Sequence, residues 1–190
     1  MLNKLNNFIA RRYSLRLMIG LFLGVAFFFW LFNFSTLPLS GPELRKLSSG
    51  EDLLDVRTYY SAQEAFRAME RYGTAGRALY IRFLAADFIF APLYGLAFAL
   101  LFTRLASTLF APSSPWNRMN LLPIGIAMAD IAENLCILVI LQMYPDQKHL
   151  VGSLAGIATL AKWVLSMAAL AFLTLSSLFL LARRFGPKRK

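Results

Sequence analysis

In the segment AMADIAENLCILVI, residues 127–140, Asp130, Glu133 and Asn134 stand at positions i, i+3 and i+4. On a helix that spacing puts all three on one face. Their surroundings are apolar, and two other apolar stretches carry Asp87 and Lys162 in the same way. Asp87 shares a helical face with Phe90, Ala91 and Tyr94, and Lys162 shares one with Ala155, Ala158, Thr159, Ser166 and Ala169. Carboxyl groups, an amine, an amide and a phenol in one dry site can bind the polar head of an amphiphile. A neutral carboxyl there can also protonate an alkene while a second carboxylate removes a proton elsewhere.

The elements that must position these groups are apolar helices. The chain has 190 residues, 58% of them hydrophobic, and a mean hydropathy of +0.56. Crossing a hydrocarbon slab takes about 20 apolar residues at ~1.5 Å each. Four stretches meet that requirement, at 15–37, 79–105, 121–144 and 153–182. The expected fold is therefore all-α, a polytopic four-transmembrane-helix bundle forming one membrane domain. Counting in from the 79, 144 and 153 ends, Asp87 lies about 12 Å deep, Lys162 about 13–14 Å, Glu133 about 16–17 Å and Asp130 about 21 Å. Three helices thus place ionisable groups in one layer, where a lone charge costs roughly 2.5–3.5 kcal/mol. Mutual pairing is the expected relief. Three carboxyls facing one amine leave surplus negative charge, so one of Asp87, Asp130 and Glu133 is expected to carry a proton at neutral pH. pH-difference infrared spectra showing all three ionised would remove that expectation. Arg82, close to the outer end of its span, is expected to snorkel to the surface.

The net charge of +10 is unevenly placed. Residues 1–16, the loop after the second span and the tail carry Lys and Arg but no acid, whereas residues 38–78 carry six of each sign. That asymmetry predicts both termini in the cytosol and the 38–78 loop outside. It also suits anionic lipid headgroups and gives no basic, aromatic-interleaved module for nucleic acid. One Cys, Cys136, excludes an intramolecular disulfide, and with one His, His149, a metal site is not expected and no cofactor is implied. Cys136 reads as a small core residue and His149 as a solvated loop residue.

Residues 1–14 read as an amphipathic cytosolic segment, with Leu2, Leu5, Phe8 and Ile9 at helical spacing, and 183–190 as a basic cytosolic tail. The first span is too long for a cleaved leader and reads as an anchor. Its Gly20 and Gly24 form a G-x-x-x-G pair suited to close helix approach. In the 38–78 loop, Pro42 marks a helix start, and Ser61 with Glu64 makes a capping-box pattern. Ala62, Ala65, Phe66 and Met69 then form one apolar face that Gly73 ends, the pattern of a helical lid over the outer mouth of the bundle or on the outer leaflet surface. Pro92 predicts a kink in the second span.

The stretch Asp87-Phe-Ile-Phe-Ala-Pro92, together with the long outer loop after the first span, resembles the EXPERA group. These are four-span membrane proteins that include the sigma-2 receptor and the emopamil-binding sterol isomerase. The resemblance implies a membrane cavity for a sterol-like or cationic amphiphile, with Asp87 as a polar contact. Asp130-Ile-Ala-Glu133-Asn134 has no counterpart there. The chain also looks like uncharacterised bacterial four-span proteins, a likeness that implies no activity.

These readings converge on a polar cluster of Asp87, Tyr94, Asp130, Glu133, Asn134 and Lys162 lining an intramembrane cavity for a lipid-like molecule. Acid/base isomerisation is the reaction such groups would support. A proton- or ion-conducting role is the first alternative. A structural role is the second, as an accessory subunit of a larger membrane complex or a homo-oligomer, the charges fixing assembly and helix register. The expected location is a bacterial inner membrane, with the endoplasmic reticulum as the alternative that the resemblance implies.

Overall fold

The computed structural model describes residues 14–185. The expected amphipathic segment at the N-terminus, up to residue 13, and the last five residues of the basic tail lie outside the described residues. The chain is all-helical, and four of its helices are long and apolar enough to cross a membrane. Helix α1 is Leu15–Phe34, the short α2 is Gly41–Leu47, α3 is Ala62–Leu109, α4 is Leu122–Met143 and α5 is His149–Phe185. Short 3-10 turns at Leu54–Val56 and Pro115–Leu121 join them.

Local chemistry explains the helix ends. Ser40 caps α2, its Oγ accepting from the Glu43 N–H, with Pro42 in the first turn. Ser49 and Gly50, both at positive φ, follow that helix. Ser61 and Glu64 complete the capping box of α3: Ser61 Oγ accepts from the Glu64 N–H, and the Glu64 carboxylate accepts from the Ser61 N–H. Those bonds hold the Glu64 carboxyl below its ordinary 4.5.

Helix α3 is really two helices. At Gly73 the backbone takes φ 59° and ψ −173°, a combination essentially reserved for glycine. The first helix covers the loop end of the molecule, and the second crosses between α1 and α4. The sequence places the end of the loop helix at Gly73, but the span resumes there at once instead of starting at 79. Pro92 lies inside the second part, and Gly73 is the residue of α3 with non-helical dihedrals. The break between the two helices is therefore at the glycine.

Helix α4 lies between α3 and α5, and α1 packs on α3. Gly95 lets α3 and α4 meet closely, because a Cβ there would stand 2.7 Å from the Ala127 Cβ. The Gly20–Gly24 pair behaves differently from expectation. Gly24 faces the Leu93 side chain of α3, whereas nothing lies within 4 Å of a Cβ at Gly20. A second G-x-x-x-G, Gly152 and Gly156 on α5, makes the intimate contact. A Cβ at Gly156 would lie 1.9 Å from the Tyr60 carbonyl oxygen, and one at Gly152 would lie 2.8 Å from the Ala62 Cβ. The segment from Asp55 to Ser61, hereafter the strap, leaves the Leu54–Val56 turn and lies directly on α5 at Tyr60. The outward faces of α1 and α5 expose Leu23, Phe27, Trp30, Ile157, Val164 and Met167, the surface that lipid tails rather than water would cover.

Candidate functional site

The six side chains named from the sequence fall into two neighbouring sets, Tyr94, Asp130, Glu133 and Lys162 in one and Asp87 with Asn134 in the other. The crossing at Gly95 sets an antiparallel register between α3 and α4 in which Tyr94 faces Asp130 and Asp87 faces Asn134. Tyr94 Oη donates to Asp130 Oδ2 at 2.9 Å, and Asn134 Nδ2 donates to Asp87 Oδ2 at 2.6 Å. From α5, Lys162 Nζ donates to Asp130 Oδ1 at 2.9 Å and lies 2.5 Å from Glu133 Oε2. Thr159, one turn nearer the start of α5, donates to Glu133 Oε1 at 2.6 Å while also bonding the Ala155 carbonyl. Asp87, Asp130, Glu133 and Asn134 are all buried, and Glu133 and Asn134 have no exposure at all.

The pairing is more selective than proximity in one layer would suggest. The ammonium is claimed by Asp130 and Glu133, both on α4. Asp87 is held by a neutral amide and is not an ion-pair partner of Lys162. Arg82 is exposed on α3. Cys136 is half-buried and unpaired, and His149 is exposed at the start of α5 with its ring edge-on to Phe66 at 5.4 Å.

Two contributors escape a reading of the sequence. The third bond of the Lys162 ammonium goes to the main-chain carbonyl of Asp55, at 3.0 Å. The adjacent Trp163 Nε1 donates to the Arg57 carbonyl at 2.6 Å. The Asp55 carboxylate in turn accepts from Tyr80 Oη at 2.8 Å, and that same phenol oxygen accepts from the Leu54 N–H at 3.0 Å. The strap thus reaches down from the loop to the cluster and closes it. No residue pattern marks a backbone acceptor, and Asp55 is one of several acids in a mixed-charge loop. Thr159 is different: its place four residues after Ala155, on the Lys162 face, is a readable signal.

A polar cavity of about 190 Å³ lies under the strap, lined by Asp55, Asp87, Asp130 and Lys162 and walled by Phe32, Phe83 and Phe90. Arg45 and Asp52, an exposed ion pair, stand at its loop-side rim. A second cavity of about 280 Å³ lies farther along the helices, lined by Phe98, Phe102, Pro123, Ile126, Leu170 and Leu173. Tyr94 lines the apolar cavity and Asp130 the polar one, so the hydrogen bond between them belongs to the wall the two share. Ser166 and Ala169, one and two turns beyond Lys162 on α5, complete the apolar lining. Among the described residues no group of three or more His, Cys, Asp or Glu is arranged to hold a metal ion.

Such an arrangement can hold a polar head among fixed hydrogen-bond partners and an apolar body beside it. Comparison with protein-family models, curated proteins and solved structures finds no match to this chain. The reading of function therefore rests on the geometry.

Proposed function

We propose that this chain is an integral membrane protein that binds a lipid-like amphiphile inside its helix bundle. The polar head sits in the cavity of Asp55, Asp87, Asp130 and Lys162, and the apolar body sits in the cavity lined by Phe98, Phe102 and Leu170. The observation that carries this reading is that a polar and an apolar chamber adjoin at the Tyr94–Asp130 hydrogen bond, which a ligand spanning both would displace. Ligand sites of this kind are mostly apolar with a few converging polar groups. The likeness of Asp87-Phe-Ile-Phe-Ala-Pro92 to the EXPERA group points the same way. The positive-inside pattern favours a bacterial inner membrane with both termini in the cytosol and the strap outside.

Proton conduction fits less well. The chain of polar contacts runs from Asp55 through Lys162 and Asp130 to Tyr94, and beyond it the cavity lining is apolar apart from Ser166. A relay needs a polar exit, and this one ends at hydrocarbon.

The test is ligand retention. Native mass spectrometry of the protein in mild detergent should show one retained lipid-like mass. Ala169→Phe, which fills the apolar chamber without touching the ion pairs, should lower retention on the order of tenfold, about 1.4 kcal/mol, with helical circular dichroism unchanged. A wild-type protein free of any bound amphiphile, or full retention by Ala169→Phe, would overturn the proposal.

A further inference from the structure

At the opposite end from the strap lies a groove that belongs to neither chamber. It has a volume of about 420 Å³; Leu109, Phe110 and Trp116 form one wall and Phe172, Leu175 and Phe179 the other. Phe110 and Trp116 stack at 6.0 Å between centroids, so the first wall is flat and aromatic. The second wall is one face of α5 near its C-terminal end, where the helix carries no acidic residue.

Charge distinguishes this groove from the other apolar surfaces of the molecule. Asp130 is the acidic residue closest to it in the chain on the α4 side, and neither the segment 100–129 nor the segment 163–190 contains an acid. Arg118 is exposed two residues after Trp116, and Arg183 and Arg184 are exposed just after Phe179. The Arg183 guanidinium is folded over the Phe179 ring, 5.5 Å from its centroid, which holds its charge at the groove rim. A guanidinium there offers a planar fork of N–H donors matched to phosphate oxygens.

We propose that this groove is a binding site for one anionic phospholipid, with an acyl chain between the two aromatic walls and the phosphate at Arg183 and Arg118. A neutral or zwitterionic lipid could fill the groove but would gain little from two uncompensated cations. A second copy of this chain would bring its own arginines to an end of the molecule that has no acid to receive them. Charge complementarity therefore selects the anionic lipid.

The test uses the full chain in mild detergent, titrated with phosphatidylglycerol or phosphatidylcholine of identical acyl chains and followed by native mass spectrometry. Phosphatidylglycerol should bind roughly thirtyfold more tightly, about 2 kcal/mol for the two arginines, and the preference should fade with added salt. Arg118→Gln with Arg183→Gln should abolish the preference, whereas Arg16→Gln, exposed on α1, should leave it intact. Ser176 lines the groove, and Ser176→Phe, which fills it with both arginines in place, should weaken binding of the anionic lipid. Equal affinity for the two lipids, or a preference that survives the double arginine change, would overturn the proposal. So would a dimer, seen without lipid, that Ser176→Phe alone dissolves.

Discussion

Asp55 is partly buried on the strap, and its carboxyl is shielded from water beside Tyr80 and Lys162. Desolvation is the largest influence on it and raises its pKa above the ordinary 3.8, against the opposing pull of the Lys162 charge and the Tyr80 hydrogen bond; the Asp130 charge adds to the rise. The docked strap therefore holds a proton on Asp55 more tightly than a released strap would. Docking gains from this fully below 3.8, and the gain is lost as pH rises through the raised value. With Trp30 and Trp116 replaced by Phe, the emission of Trp163 reports directly on the strap it touches. It should shift to the red as pH climbs out of the carboxylate range, and Asp55→Asn should flatten that response. A wild-type emission independent of pH would contradict the assignment. The contrast with Asp130 and Glu133 explains what could be read in advance. Those two stand out because an acid in an apolar helix has no ordinary reason to be there, and their i, i+3 spacing fixes a common face. Asp55 has Glu51 and Asp52 for neighbours, and nothing in the order of residues sets it apart.

Among the elements, the strap and α5 form the least forgiving contact in the molecule. Gly156→Ala would drive a methyl group into the Tyr60 carbonyl, and main chain cannot rotate away as a side chain can. The expected cost is about 1–3 kcal/mol for overpacking, seen as a lower thermal midpoint and faster proteolytic cutting between Asp55 and Ser61. Gly20→Ala meets nothing within 4 Å and should be neutral or stabilising by up to about 1 kcal/mol. Equal behaviour of the two variants would mean the strap does not rest on α5. The two G-x-x-x-G pairs look alike as text, and only the fold tells them apart. Long apolar helices, by comparison, announce themselves by composition. Gly73 breaks α3 because it adopts dihedrals that other residues avoid.

Viewed whole, the molecule is polarised. All ten acidic residues lie at the strap end or in the cluster beneath it, and the other end carries only positive charge. The orientation this favours is testable with single reporter cysteines in a Cys136→Ala background. In intact bacterial spheroplasts a membrane-impermeant maleimide should label Gln147→Cys and spare Ser113→Cys until the membrane is broken. The reverse pattern would invert the whole arrangement. Helix α5, at 37 residues, is about 55 Å long, well beyond a hydrocarbon core of roughly 30 Å. The sequence ends this span at 182, whereas the helix carries on through Arg183 and Arg184 to Phe185.

Both bonds that tie the loop to α5, from Lys162 and from Trp163, are received by peptide oxygens. An alanine scan along positions 55–57 would leave both acceptors intact, so a loss recorded at Asp55 would report its carboxylate and not these two bonds. Those two bonds can be cut only from the helix side, by changes at Lys162 and Trp163.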